Sequence, residues 1–237
     1  MARRCSGRDV SLLLLFFTLT CTRLDASSPV VDQELSDIIN ELWKLDTNRL
    51  KPGTDYTISL QGKAGFVTQG TNTARDHAQS PLFSHVNEAK LKSIKTYSNF
   101  LDLLDNYEKS TGVTEKVTPE ELAENYRFLD SILQTEVMKR AHKYLVSKGK
   151  SSTDLRLFKN QLYDIWFRLY HRDRIQLERA GQFEVALFTI VFLKSTVRVT
   201  HTVINVDEYQ LEVVVYRHGR SIGTSYPKLL SSNNRHV

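Results

Sequence analysis

Apolar residues recur at helical spacing through most of the first two thirds of the chain. Over residues 31–45 they lie three or four positions apart, which predicts an amphipathic helix that ends near Asp46, before a turn at Pro52-Gly53. The same spacing predicts three further helices, over residues 88–104, 118–137 and 153–170. Residues 61–80 are rich in Gly, Thr, Gln and Asn without periodicity, so they predict an extended surface loop.

The helix beginning near residue 118 has a specific start signal. Thr118 stands at the position that caps a helix, Pro119 at the first helical position, and Glu121 three residues after the cap. This order predicts a capping box, in which the Thr118 and Glu121 side chains each accept a hydrogen bond from the other residue's backbone.

The pattern changes after Gly181, where β-branched and aromatic residues dominate. The run from Val185 to Leu193 predicts a buried strand, and residues 209–216 predict a second one. Gly219 predicts a turn into residues 221–226, which closes an antiparallel pair. The fold class is therefore α+β, with a helical N-terminal lobe followed by antiparallel strands.

The first residues have the pattern of an export signal. Three arginines precede the apolar stretch Ser11–Leu19, which is too short to span a bilayer. We interpret residues 1–26 as a signal peptide, cleaved between Cys21 and Ser28, and residues 27–237 as the mature domain. No later run approaches the roughly 20 apolar residues of a membrane helix. The expectation is a secreted protein that does not enter the membrane after cleavage.

The cysteine content and the net charge place only weak limits on disulfide bonding and on the class of binding partner. Both cysteines, Cys5 and Cys21, lie within or beside the predicted signal, so we expect no disulfide in the mature chain. The formal net charge is +5, and removal of the four Arg and two Asp of residues 1–26 leaves about +3. This mild positive charge is compatible with an RNA partner without specifying one.

Several segments of the chain, in order, carry a resemblance to one known family: Asn48-Arg49-Leu50-Lys51-Pro52-Gly53, Leu104-Asp105-Asn106-Tyr107-Glu108, Val117-Thr118-Pro119-Glu120-Glu121, Leu162-Tyr163-Asp164-Ile165-Trp166-Phe167, Phe183 to Leu193 and Gly223-Thr224-Ser225-Tyr226-Pro227. Together they resemble the EndoU (placental protein 11-like) family of uridylate-specific endoribonucleases. It covers nearly the whole mature chain.

The resemblance implies an enzyme that cuts single-stranded, U-rich RNA at uridylates and leaves a 2′,3′-cyclic phosphate, with manganese as a stimulating ion. Such chemistry needs a base for the ribose 2′-hydroxyl, an acid for the leaving oxygen, and a cation near the phosphorus. The family uses two histidines, in Gly-Phe-Glu-His and Leu-His-Asn-Trp stretches, and a lysine. Neither stretch occurs here, nor the lysine, because residues 171–182 join the helical part directly to Phe183. We therefore expect an internal deletion near residues 172–182, an incomplete catalytic lobe, and no transferable catalytic or metal-binding residue.

The uridine-binding end of the family site remains. Thr224 and Tyr226 match the Thr-x-Tyr pair that the family uses against uracil and ribose. A tyrosine ring can stack on a base, which contributes about 1–3 kcal/mol in single-strand binders. Thr224 and Tyr226 are thus the predicted substrate-binding residues, with the end of an ordinary strand as the alternative.

Other residues admit both functional and ordinary structural explanations. His201 and His218, on neighbouring predicted strands, are a conceivable surrogate pair for catalysis. The Arg217-His218-Gly219-Arg220 segment fits either a phosphate contact or a solvated turn. Lys90, Lys92 and Lys95 fit either a basic stripe or an ordinary exposed helix face.

Three hypotheses about function follow. The first is a monomeric EndoU-family member that binds U-rich RNA and not DNA, and cleaves it poorly or not at all. The second is a secreted, non-enzymatic interaction protein whose helical lobe does the binding. The third is a product that scarcely folds, because deletion of sheet strands exposes edges and part of the core.

Overall fold

The computed structural model describes residues 30–61, 77–106, 117–168 and 181–232. The predicted signal peptide, most of the predicted loop and the join at residues 172–180 lie outside these residues. By its contacts the chain divides into Met1–Val30 and Val31–Val237. The second of these units contains all the elements described below.

Seven helices and five strands make up the described part of the chain. The helices are α1 (Gln33–Leu45), α2 (Glu88–Ser93), α3 (Lys95–Asp102), α4 (Pro119–Leu133), α5 (Glu136–Ser147), α6 (Leu155–Trp166) and α7 (Gln182–Lys194). The strands are β1 (Tyr56–Ile58), β2 (Phe83–Val86), β3 (Val199–Val206), β4 (Tyr209–His218) and β5 (Ser221–Ser232).

The predicted capping box is confirmed at the start of α4. The Glu121 backbone N–H donates to Thr118 Oγ1 at 3.1 Å, and the Thr118 N–H donates to Glu121 Oε2 at 3.0 Å. Residues 31–45 likewise contain the predicted helix, α1, which begins where the Asp32 side chain accepts a hydrogen bond from the Leu35 N–H.

Two predicted helices are each divided in two. The predicted helix 118–137 ends at Leu133, because the Thr135 hydroxyl donates to the Ile132 carbonyl and also accepts from the Met138 N–H, so it ends α4 and begins α5. The predicted helix 88–104 is interrupted at Ile94, whose backbone is extended at φ −95° and ψ 111°. Apolar spacing continues across both breaks and so conceals them.

The predicted strand at Val185–Leu193 is wrong, because this segment is the middle of helix α7. Every residue from Val185 to Phe192 is buried. α7 lies between helices α1 and α5 on one side and strands β3 and β4 on the other. A helix satisfies its own backbone in such a position, and a helix surrounded by apolar partners shows no amphipathic period.

The last three strands form an antiparallel sheet in the order β3-β4-β5. The predicted β4–β5 hairpin is confirmed, with Gly219 at φ +60° in its turn. The strand predicted to carry His201, for which no bounds were predicted, is β3, whereas the small β1–β2 pair was not predicted. The sheet's inner face contributes Ile204, Val213 and Val215 to the hydrophobic core, which extends through α7 to α1, α4, α5 and α6.

A buried polar network fixes the start of α7. Gln182 Nε2 donates to Asp46 Oδ1 at 2.6 Å, and Asn48 Nδ2 donates to Gln182 Oε1 at 3.0 Å and to Thr96 Oγ1 at 3.3 Å. Glu184 turns back to accept from the Gly181 backbone N–H. Burial raises the pKa of Glu184, and the nearby Asp46 charge raises it further.

The substitution Glu184→Gln is therefore expected to increase the free energy of unfolding near neutral pH. A carboxyl whose pKa rises on folding binds its proton more tightly in the folded chain, so stability falls as pH rises from about its ordinary value of 4.5 through the raised folded value. Glutamine lacks the charge but keeps an oxygen that accepts from Gly181. Denaturant unfolding at several pH values should show the gain near neutrality and its loss toward pH 4.5.

The exposed Glu120 of α4 provides the matched control, because Glu120→Gln removes the same charge at the surface. An effect of Glu184→Gln that is the same at both ends of the pH range would contradict the assignment of this pH dependence to Glu184.

Candidate functional site

The two predicted substrate-binding residues lie side by side on strand β5. In the register of the sheet, Thr224 stands opposite Tyr216 and Tyr226 opposite Val214. Because alternate residues of a strand point to the same face, Thr224 and Tyr226 both lie on the face turned away from α7, which we call the outer face. Both side chains are exposed.

Tyr216 completes an aromatic pair that sequence reasoning missed. Its ring lies against that of Tyr226, with 6.5 Å between ring centroids and 27° between ring planes. Tyr216 and Tyr226 are each 37% exposed. Val214, which stands opposite His201 on one side and Tyr226 on the other, is fully buried. The alternation of Glu212, Val214 and Tyr216 along β4 could have indicated that they share a face. The contact between Tyr216 and Tyr226, however, depends on a bulge at Tyr216/Arg217 that shifts the register of β5 against β4.

Charged groups surround this pair on the same face. Glu212 accepts from Lys228 Nζ at 2.9 Å and lies 2.8 Å from His201 Nδ1. Hydrogen bonds from Lys228 and His201 lower the pKa of Glu212, and the bond to Glu212 raises the pKa of Lys228. A hydrogen bond with Tyr216 raises the pKa of Tyr226.

We call the set His201, Glu212, Tyr216, Thr224, Tyr226 and Lys228 the outer-face cluster. The opposite charges of Glu212 and Lys228 balance each other. The cluster therefore offers aromatic surface and hydrogen-bonding groups, and little net charge.

The conceivable catalytic pair of histidines is not brought together. His201 stands opposite Val214, whereas His218 lies four residues further along β4. At about 3.4 Å per residue, this places their backbones about 14 Å apart. A general base and a general acid must both reach one phosphodiester, so these two residues do not form such a pair.

The lysines considered for a basic stripe are largely engaged elsewhere. Lys90 Nζ lies 2.6 Å from Asp55 Oδ2, and Lys92 Nζ lies 3.3 Å from Glu88 Oε2. Two of the three charges are therefore balanced by carboxylates, which favours the ordinary surface explanation over a basic stripe.

No group of three or more His, Cys, Asp or Glu side chains within the four described ranges is arranged to hold a metal ion. Those described residues therefore do not fit a resident manganese ion. Within the same ranges, no helix is long and apolar enough to cross a membrane.

The described residues form the predicted α+β fold, and its final sheet exposes Thr224 and Tyr226. The family model described as Endoribonuclease XendoU matches residues 34–184 of the chain. Together with the relatives below, this shows that the chain belongs to the XendoU family of endoribonucleases.

Particular relatives are similar over most of the chain. Uridylate-specific endoribonuclease C of Danio rerio is 48% identical over an alignment that covers 98% of this chain and 99% of the relative. Poly(U)-specific endoribonuclease-B of Xenopus laevis is 41% identical, with 89% and 99% covered. The solved structure of XendoU, described as a splicing-independent snoRNA-processing endoribonuclease, has a TM-score of 0.73 at 40% identity and covers 86% of this chain and 99% of that one.

The alignment with the Danio rerio relative also contains positions that this chain does not fill. It spans 311 positions, whereas the chain has 237 residues. Because nearly all of both proteins is covered, these positions are internal. The family and the α+β class predicted from the sequence are thus confirmed. The location of the deletion near residues 172–182 stays a prediction, and so do the roles of Thr224 and Tyr226.

Proposed function

We propose that this chain is a secreted, uridine-directed RNA-binding member of the XendoU family that cleaves RNA poorly or not at all. The observation that carries the proposal is the outer-face cluster, in which Thr224 and the Tyr216–Tyr226 pair form one exposed surface. An exposed ring accepts a nucleobase, and each stacked base contributes about 1–3 kcal/mol.

Recognition of RNA over DNA follows from the hydroxyl-rich part of the cluster. The resemblance assigns the Thr-x-Tyr pair to uracil and ribose, and the ribose 2′-hydroxyl is the group that lets a protein distinguish RNA from DNA. Thr224 and Tyr226 are adjacent on one face, so a single nucleotide reaches both. We therefore propose single-stranded, U-rich RNA as the partner, bound by a monomer.

Weak or absent cleavage is proposed because the described histidines do not form a pair of proton-transfer groups at one site. The chemistry needs two proton-transfer groups at one phosphodiester, and His201 and His218 lie too far apart for this. The internal alignment positions that this chain does not fill support the loss of the segment in which the resemblance places the family's histidines. Any residual product is proposed to be a 2′,3′-cyclic phosphate, with manganese as the stimulating ion that the resemblance implies.

Replacement of Tyr226 tests the binding proposal. Tyr226→Ala is expected to weaken binding of a short oligouridylate by about 5- to 150-fold, the equivalent of one stacked base. Tyr226→Phe keeps the ring and should retain most of the affinity. Fluorescence anisotropy with labelled RNA measures both effects.

Tyr209→Ala is the matched control, because Tyr209 lies on β4 with a similar exposure of 38% but outside the outer-face cluster. If Tyr226→Ala and Tyr209→Ala bind equally well, the second hypothesis gains support, in which the helical lobe binds a protein partner and the strands only complete the core.

A further inference from the structure

A groove of about 600 Å³ lies on the side of the β4–β5 hairpin opposite to the outer-face cluster. Its walls come from four places in the chain: the segment after α5, helix α6, the end of α7, and the hairpin turn. Its apolar part includes Leu157 and Phe192, and its polar part includes Asn160 and Gln161. The groove is therefore continuous with the hairpin that presents Thr224 and Tyr226 on its other face.

Positive charge predominates in this groove. Lys150, Arg217 and Arg220 line it, with Asp164 as the single carboxylate among the lining residues. Asp164 Oδ1 lies 3.6 Å from Arg168 Nη1, so its charge is partly balanced. Within the described ranges, Lys150 and Arg220 form no ion pair, unlike Lys148 and Lys159 nearby, which pair with Glu34 and Asp130.

Local structure fixes the backbones that carry these cations. α5 ends in a Schellman motif, in which Gly149 at φ +63° lets the Lys150 N–H donate to the Leu145 carbonyl at 2.8 Å. Gln161 Nε2 then donates to the Lys150 carbonyl at 3.0 Å. Lys150 therefore begins from an ordered backbone position, which lowers the entropy lost on binding.

Arg217 is held at the opposite wall by the end of α7. Its guanidinium lies 3.5 Å from the centroid of the Phe192 ring and donates to the carbonyl oxygens of Phe192 and Ser195. The fold thus sets the position of this arginine side chain at the groove wall.

We infer that this groove binds the phosphodiester backbone of the same single-stranded RNA whose base stacks on Tyr226, an inference that rests on the proposed function. The outer-face cluster has little net charge, because its lysine, Lys228, is paired with Glu212, so it supplies base contacts and little attraction for a polyanion. Lys150 and Arg220 supply that attraction. From Ser221 to Tyr226 the chain advances five residues, about 17 Å, so an RNA strand passing the hairpin turn reaches both regions.

The test compares two RNA lengths. One is the dinucleotide UpU, and the other is an oligouridylate of about 12 nucleotides, within the ~4 to 16 that single-strand sites cover. The double variant Lys150→Ala/Arg220→Ala is expected to bind the longer RNA about tenfold more weakly and UpU normally. The slope of log K against log salt is negative, and each lost phosphate contact should reduce its magnitude by about 0.7.

The control is Lys95→Ala/Lys143→Ala, which removes the same charge from exposed lysines outside the groove. Circular dichroism checks that all variants are folded. If Lys150→Ala/Arg220→Ala binds the longer RNA as the control does, the groove inference is overturned, while a UpU affinity that depends on Tyr226 still supports the proposed function.

Another pattern of results would support RNA binding by the groove and contradict base stacking on the outer-face cluster. If Tyr226→Ala changes neither RNA but Lys150→Ala/Arg220→Ala weakens the longer one, the groove binds RNA and the outer-face proposal fails. If the unaltered chain binds neither RNA, both are overturned.

Discussion

Incubated with a uridine-containing oligonucleotide and manganese, this chain is expected to form cyclic-phosphate product at less than about 10⁻⁴ of the rate of its Danio rerio relative, assayed in parallel. Loss of one proton-transfer group typically lowers a rate ~10²- to 10⁴-fold, and here both histidine stretches and the lysine of the family are missing from the sequence. Separation by length and analysis of the 3′ ends would measure the product.

Traces of a contaminating ribonuclease must be separated from true activity. Tyr226→Ala, purified in the same way, is the control, because a contaminant cleaves equally in both preparations. Cleavage at uridylates within about 10²-fold of the relative, and lost in Tyr226→Ala, would contradict the proposed inactivity. His201→Ala and His218→Ala would then show whether either histidine takes part.

The substitution Ile190→Ala is expected to lower the free energy of unfolding by about 2–5 kcal/mol. Ile190 is fully buried in α7, the helix that joins the helical core to the sheet. Truncation leaves a cavity between two parts of the core, and the close packing around it limits collapse. Ile58→Ala is the matched control, since Ile58 is 44% exposed on β1 and its truncation should cost less than about 0.5 kcal/mol.

Tryptophan fluorescence is well suited to this measurement. The chain has two tryptophans, and both contact α7: Trp166 Nε1 donates to Thr189 Oγ1 at 2.9 Å, and the Trp43 ring lies 5.2 Å from that of Phe183. Coincident unfolding curves from fluorescence and circular dichroism would indicate one cooperative unit. Absence of a cooperative transition in the unaltered chain would support the third hypothesis, that this product scarcely folds.

The sequence predicted those elements whose signals are local. The capping box of α4 depends on two residues three positions apart, and the β4–β5 turn depends on a glycine that tolerates positive φ. Predictions were wrong where the local conformation depends on residues that are distant in the sequence. An unbroken apolar run such as Val185–Leu193 has the same composition in a buried strand and in a helix enclosed on all sides, so only the surrounding elements decide.

The same difference between local and long-range signals applies to the candidate site. Thr224 and Tyr226 were predicted from a short motif, and their placement on one face follows from the two-residue period of a strand. Tyr216 and the Glu212–Lys228 pair come from other positions in the sheet, and their contacts require the cross-strand register. Likewise, the Arg217–Arg220 segment suggested a phosphate contact, but Lys150 and the groove required the packing of α5, α6 and α7 against the hairpin.

The contacts of Asp32 set a limit on how far the amino end can be shortened. Its side chain accepts from the Leu35 N–H at the start of α1 and from Lys194 Nζ at 2.9 Å at the end of α7, and its own N–H donates to the Val203 carbonyl at 2.8 Å. One residue thus ties the first helix, the central helix and the edge strand β3. Cleavage before Val31 leaves the three contacts of Asp32 in place, whereas removal of Asp32 as well would break the links among α1, α7 and β3 at once. Cleavage at the predicted signal site, between Cys21 and Ser28, would leave Asp32 and its three contacts in place.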